Sequence, residues 1–433
     1  PPLRRGVRGE VLAMTGRLRD DCFALPPGIH WTPVDEALAR LRNSVTPVTA
    51  TEEISLAEAA GRILARPAIA RRANPPAANS AIDGYAFAWA SLGGRDEVNL
   101  PLEPGRAAAG SPFSGRLAPG HALRILTGAE IPAGADTVVL QEDATVGAGR
   151  VRFHAPRKQG ANSRGLGEDA TDGDEVLPAG RRLTAADLAR LAVVGIDRLA
   201  VRAPLRIAVL STGDELLQPG DDPAAPGIFD ANRPMLSALA AEWGHIPVDL
   251  GAMPDRARAI RAALDRGAAE SDAILTTGGA SAGDEDHISR LIREEGRVET
   301  WRIAVKPGRP LALGLWRGVP VFGLPGNPVA AFVTALIFAR PALAVMAGRG
   351  WPEPQGFAVP AAFEKRKKPG RREYLRARLT PDGAAEAFHS EGSGLVGGLS
   401  WADGLVELPD EAADIRPGTP VRYLPWTSFG LRV

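Results

Sequence analysis

The chain has 433 residues, of which 45% are apolar and 24% charged, with 51 Lys+Arg against 51 Asp+Glu. That is an ordinary globular composition, with enough apolar side chain for about three domain cores. The charge balance disfavours sequence-independent nucleic-acid binding. The single cysteine, Cys22, excludes an intrachain disulfide framework and any multi-cysteine metal site.

Residues 1–30 read as a tail. Its arginines (Arg4, Arg5, Arg8, Arg17, Arg19) are not followed by the apolar segment of a secretion signal. Cys22 lies in a Pro-flanked tail with His30 the only nearby His, and is not expected to be a nucleophile, since a reactive thiol needs an electropositive setting. A reducing, cytoplasmic location is expected. Thr32-Pro33 opens a helix, with Thr32 as the cap and Ala37, Leu38 and Leu41 at helical spacing. A second helix is expected from Leu56 to Leu64, and Arg71 to Ala78 reads as a linker.

From about 79 to 170, short alternating runs such as Leu123 to Ile125 and Thr137 to Leu140 are separated by Gly and Pro turns, the pattern of a β-rich module. Helical spacing returns at Thr184 to Val194, with Thr184 capping and Leu188, Leu191 and Ala192 on one face. A β-rich block between helical segments predicts an insertion into a helical, discontinuous domain.

Residues 203–347 alternate strands and helices. Strands are expected at Arg206 to Leu210, Pro247 to Leu250, Ala273 to Leu275, Trp301 to Val305 and Val319 to Leu324. Helices are expected at Met235 to Trp243, Ala257 to Leu264, Ile288 to Ile292 and from Val329. Such alternation predicts a parallel α/β sheet, which binds ligands beyond the carboxyl ends of its strands. The apolar run Val329 to Ala339 is shorter than the ~20 residues of a membrane span and reads as a buried helix. Neither a membrane nor a nucleic acid is expected as a partner. After a Pro/Gly linker, Gly348 to Gly356, residues 357–433 read as a small β-domain.

The expected carboxyl ends carry Thr212-Gly213-Asp214-Glu215, Asp255, and the run Thr277-Gly278-Gly279-Ala280-Ser281-Ala282-Gly283-Asp284-Glu285-Asp286. Glycines admit close approach of backbone to ligand, and a following helix start offers N–H groups to an anion. Acids on the same turns ask for a cation. Oxygen ligands without clustered His or Cys favour Mg²⁺ over zinc, and His287 reads as structural. Lys306-Pro307-Gly308-Arg309-Pro310 is a rigid positive elbow suited to an oxyanion. Leu324-Pro325-Gly326-Asn327-Pro328 begins a helix, with Asn327 as a good cap. Gly392-Ser393-Gly394-Leu395-Val396-Gly397 matches a dinucleotide pattern but has no clear preceding strand and too little chain after it, and is read as a decoy.

Taken in order, Asn79 to Tyr85, Leu126-Thr127-Gly128-Ala129, Asn162-Ser163-Arg164 with Gly167-Glu168-Asp169, Ser211 to Leu216, Thr277 to Asp286, Lys306 to Pro310 and Gly323 to Pro328 resemble the molybdopterin molybdotransferase family, the bacterial MoeA proteins and the E domain of gephyrin. The resemblance covers roughly residues 31–433. It implies an α/β plus β, elongated multidomain fold and a homodimer. The domains expected are a helical domain (31–72 and 171–202), a β-rich insertion (73–170), an α/β molybdopterin-binding domain (203–350) and a C-terminal β-domain (351–433).

The implied reaction is insertion of molybdate into adenylylated molybdopterin, with Mg²⁺ required and AMP released. Asp83, Asp169, Glu215, Asp255 and Asp286 match the family's essential acids, with Glu215, Asp255 and Asp286 as metal ligands. Thr127, Arg164, Thr212, Gly213, Gly278, Gly279, Ser281, Gly283, Lys306, Arg309, Pro325 and Asn327 are the implied substrate contacts. Lys306, Arg309, Arg372 and Ser393 are the implied molybdate pocket. Molybdoenzymes or their chaperones are the implied recipients. Ala330 departs from a common Ser after Asn-Pro-Val, which motivates an alternative: a non-catalytic scaffold of the same fold that delivers cofactor.

Overall fold

The computed structural model describes residues 31–278, 287–301, 303–308 and 311–432. Its first helix, Val34–Ser44, buries Val34, Ala37 and Leu41 on one face. Pro33 occupies the cap position without a side-chain bond, while Thr32 is buried in a bridge with Ile303. The helix therefore starts one residue later than Thr32 capping would require. Strand Thr51–Ser55 pairs antiparallel with Arg198–Arg202, which ties the two halves of the N-terminal module together.

The expected helix from Leu56 to Leu64 is absent. A single 3-10 turn, Leu56–Glu58, is held by a Ser55/Glu58 capping box. Gly61 then takes φ +78°, and Ile63 and Leu64 bridge to Arg182 and Val201. Long-range pairing outweighs local helical spacing there. The helix Ala185–Val193 does form, with Thr184 and Asp187 bonding reciprocally at its start. Leu191 is fully buried, but Ala192 is exposed.

The β-rich module is a six-stranded sheet in the order Thr137–Leu140, Gly84–Phe87, Ala122–Ile125, Glu97–Ala107, Arg150–His154, Ala144–Gly147. Phe87, Phe153 and Leu123 are fully buried in its two small cores.

The α/β module has six strands ordered Ile246–Met253, Arg206–Thr212, Ala273–Thr277, Val319–Leu324, Leu311–Trp316, Arg297–Trp301. The first four are parallel, and Leu311–Trp316 runs antiparallel to both of its neighbours. The expectation of an all-parallel sheet therefore fails at one edge. Arg317 (φ 52°) and Gly318 (φ 85°) make a two-residue turn between Trp316 and Val319. So short a turn can join only antiparallel neighbours. The expected strand Trp301 to Val305 is also divided. Arg297–Trp301 forms the sheet edge, and Val305–Lys306 leaves to pair with Arg372 and Glu373 of the C-terminal sheet.

Helix Pro328–Met346 runs through the largest core and is 89% buried over its most apolar window. It is the one described helix long and apolar enough to cross a membrane, and the protein's own core covers it. Its ladder widens to a π turn at Ala335–Ala339, just ahead of Pro341, which has no N–H to return. The C-terminal β-domain orders Val305–Lys306, Arg372–Leu379, Gly404–Leu408, Pro420–Pro425 and Phe357–Pro360 into one sheet around Val406, Leu408 and Tyr423.

Candidate active site

The carboxyl rim of the α/β sheet gathers the expected acids. Strand Arg206–Thr212 is buried along six of its seven residues and ends abruptly at Gly213. A Cβ on Gly213 would lie 2.6 to 2.9 Å from the Glu215 carboxylate, so Glu215 folds back over the strand end. Gly278 sits at φ +83°, and a Cβ there would clash with the carbonyl oxygen of Thr212. Only glycine lets the two strand ends approach this closely.

The Asp255 N–H donates to Asp214 Oδ1 at 3.0 Å. Burial, and then the negative charges of Glu215 and Asp214, push the Asp255 carboxyl up, partly opposed by His287. Asp214, Glu215 and Asp255 are thus a crowded set of like charges, an arrangement that a cation relieves. Among the described residues no group of three or more His, Cys, Asp or Glu is gathered at metal-binding spacing. Asp286, the third expected ligand, lies outside the described residues, as do Gly279, Ser281, Gly283 and Arg309.

Near the strand ends lie buried polar atoms without a hydrogen-bond partner among the described residues: Ser211 Oγ and Asn232 Oδ1 on one face of the sheet, Thr212 Oγ1 and Thr276 Oγ1 on the other. Buried polar groups are ordinarily paired, so unpartnered oxygens this close to the carboxyl ends of two neighbouring strands fit a polar ligand at the rim. Asn232 was not anticipated from sequence. Its Nδ2 donates to Thr277 Oγ1 and to the Gly326 carbonyl, both at 2.6 Å, joining the rim to the loop that carries Pro325 and Asn327. Thr277 Oγ1 donates in turn to the Pro325 carbonyl at 3.3 Å. The run Asp230-Ala231-Asn232-Arg233-Pro234 held a usable signal, since Asp and Asn favour helix starts. Asp230 accepts from the N–H groups of Asn232 and Arg233 as the helix begins.

A second set stands on the β-rich module. Asp83 Oδ1 accepts from the Thr127 N–H and hydroxyl, each at 2.7 Å. These bonds hold its carboxyl below the usual range. Arg164 pairs with Asn79 in a short antiparallel ribbon, and Asp169 Oδ2 accepts from Asn74 Nδ2 at 2.9 Å. No hydrogen bond or ion pair between described residues joins this set to the sheet rim.

The positive elbow is more enclosed than its sequence suggests. Lys306 pairs in register with Glu373 across the strand contact. Its Nζ lies 2.5 Å from Glu391 Oε2 and 3.7 Å from Glu373 Oε2. Lys365 reaches the same two acids, at 3.0 Å for Glu373 and in close contact with Glu391. Burial disfavours the Glu391 charge, but hydrogen bonds from Lys306 and Lys365 outweigh it and hold the carboxyl below its usual range. A cavity of about 70 Å³ opens beside them, lined by Lys306, Pro307, Val329, Lys365, Ser390 and Glu391 among others. Ser393 is close by, its carbonyl accepting from the Val329 N–H at 3.0 Å. The decoy loop around Gly392 has its carbonyls turned to Arg376, which donates to Ser390, Gly392 and Leu395. Asn327 is at the cap position of the core helix but makes no side-chain capping bond, which leaves its amide exposed at the rim.

Arg372 is not brought to this pocket. Successive strand residues face opposite ways, so with Glu373 toward Lys306, Arg372 points to the other side of the sheet. There it binds Asp35 at 2.6 and 2.8 Å and Asp410 at 3.1 Å. It lines a separate cavity of about 710 Å³ with Arg340, Trp351 and Tyr374.

Family models describing the MoeA N-terminal region (domain I and II), a probable molybdopterin binding domain and the MoeA C-terminal region (domain IV) match residues 32–195, 208–345 and 358–426. A molybdopterin molybdenumtransferase of Haemophilus influenzae is 33% identical over 399 residues, covering 91% of this chain and 98% of its own. One from Nostoc sp. is 34% identical over 388 residues, covering 86% and 88%. Among solved structures, the molybdopterin biosynthesis MoeA protein of Pyrococcus horikoshii OT3 matches with a TM-score of 0.79 at 26% identity, over 92% of this chain and 100% of that one.

Proposed function

The chain belongs to the molybdopterin molybdenumtransferase family, and on that premise we propose that it inserts molybdenum, supplied as molybdate, into adenylylated molybdopterin and releases AMP. Transfer of molybdenum to molybdopterin is the activity named for its relatives. The adenylyl group, a Mg²⁺ requirement and AMP as product go beyond those names. The observation that carries the proposal is the rim itself, where buried hydroxyl and amide oxygens without a partner among the described residues lie near carboxylates that crowd one another.

Thr212, Gly213 and Gly278 would receive the nucleotide-linked part of the substrate, with Asn327 and the Pro325 carbonyl at its edge. Glu215 and Asp255 would hold Mg²⁺, with Asp286 as third ligand. When bound, the cation supplies charge neutralisation and Lewis acidity to the phosphoanhydride. Crowding of Asp214 and Glu215 against Asp255 is the feature that fits it. Lys306, Arg309 and Ser393 would hold molybdate, and Arg372 drops out of this group. Asp83, Thr127, Arg164 and Asp169 would complete the cleft from a second copy of the chain, in a homodimer that passes the finished cofactor to molybdoenzymes or their chaperones.

The test is direct. Purified protein given adenylylated molybdopterin, molybdate and Mg²⁺ is expected to release AMP in step with cofactor formation. AMP at background level, with the substrate still bound, would instead make the chain a carrier that has kept the fold, the alternative raised by Ala330.

A further inference from the structure

Lys306 and Lys365 point their ammonium groups at one spot, and that spot is filled. Glu391 presents one carboxylate oxygen to each lysine. Glu373 backs the pair, so two ammonium groups face two carboxylates, with the Arg376 guanidinium near enough to interact with Glu391. A tetrahedral dianion gains less from ammonium groups that already face carboxylates than from bare ones. The two acids differ in how they are held. Glu373 belongs to the strand Arg372–Leu379 and its side chain is 7% exposed, whereas Glu391 lies on an irregular loop and is 42% exposed. Arg376 grips the carbonyls on either side of Glu391, at Ser390 and Gly392. The loop backbone is thereby fixed, while the Glu391 side chain can swing to solvent.

We propose that Glu391 is a built-in anion gate, whose carboxylate occupies the oxyanion position between Lys306 and Lys365 until molybdate displaces it. The inference rests on the proposal that molybdate binds at Lys306. Exchange replaces a tethered monoanion by a free dianion, so the gate favours doubly charged tetrahedral oxyanions over monoanions and sets the molybdate concentration at which the protein works.

The experiment compares Glu391→Gln, which keeps shape and removes charge, with Lys306→Ala, in the full-length protein. Both are assayed for the KM of molybdate and of the molybdopterin substrate, with molybdate binding measured separately by calorimetry. Glu391→Gln is expected to lower the molybdate KM and Kd about tenfold, in line with removal of one like charge from a partly buried site, while the pterin KM stays put. Lys306→Ala is expected to raise the molybdate KM. If Lys306→Ala raises it and Glu391→Gln leaves it level or higher, the gate is wrong and the oxyanion site survives. If Lys306→Ala has no effect on molybdate, the oxyanion binds elsewhere and both ideas fall. Should Glu391→Gln fold poorly, Glu391→Asp withdraws the carboxylate by one methylene. It is expected to lower the molybdate KM by a smaller factor, and an unchanged value would count against the gate.

Discussion

The sheet rim and the positive elbow handle charge in opposite ways. At the rim, Asp214 and Glu215 crowd Asp255, and Asp255 is pushed toward its protonated form. At the elbow, Lys306 and Lys365 are matched by Glu373 and Glu391, and Glu391 is drawn toward its ionised form. The rim gathers like charges; the elbow pairs opposite ones. The backbone is close-packed at Gly278 on the rim and at Gly308 on the elbow, where a Cβ would lie 2.8 Å from Thr334 Cγ2, whereas the loop after Glu391 has open space around Gly394.

The largest expected effect concerns the rim acids. Asp255→Asn should cut AMP release by roughly two to three orders of magnitude, the scale of losing a charged group that acts at the reacting centre. Its thermal midpoint should be no lower than that of the parent protein, because a repulsive charge is gone. Near-parental turnover would show that the rim is merely an acidic surface.

Next come the glycines. Gly278→Ala drives a methyl into the Thr212 carbonyl at positive φ, and should cost about 2–4 kcal/mol in a urea melt. Gly394→Ala meets nothing within 4 Å and should change stability by less than about 0.5 kcal/mol. Equal costs would erase the contrast between the close-packed rim and the open loop after Glu391.

The smallest effects are in pH dependence, measured without divalent cation. Asp255 has a raised folded pKa, so it binds more protons folded than unfolded, and stability falls as pH rises from the ordinary aspartate value of 3.8 through the folded value. Asp255→Asn should therefore gain on the parent protein across that window. Glu391 has a lowered folded pKa, and its contribution, complete above the ordinary glutamate value of 4.5, is lost as pH falls through the folded value. Glu391→Gln should trail the parent protein at neutral pH and draw level in acid. Each difference should stay below about 1 kcal/mol, since both groups are partly solvated. Slopes of the same sign would show that the two regions do not differ as described.

Much of the fold was legible because it is written in short-range pattern. The buried run Arg206 to Leu210, the Thr184 cap and the apolar helix after Pro328 all carry local signals, and all three form, the strand running on to Thr212. The misreadings share one cause. Leu56 to Leu64 has helical spacing, but its partners at Arg182 and Val201 lie far along the chain. The Arg317-Gly318 turn reversed a strand that alternation alone would have made parallel. At the candidate site, the strand-end acids were visible as acids after apolar runs, and the crowding of Glu215 and Asp255 follows from that placement. Asn232 was hidden in a helix start, and Glu391, 85 residues from Lys306, carried no pattern pointing to its partner.

What this sequence determined by itself was chemical inventory and local form: which strands are buried, where glycine must sit, and which turns bear acids or bases. These follow from side-chain polarity and backbone sterics over a few residues. Only the tertiary structure decided how charges are paired. An ion pair depends on a few ångströms between segments that are remote in the chain, and the alternation of a single strand sends Glu373 to Lys306 and Arg372 away from it.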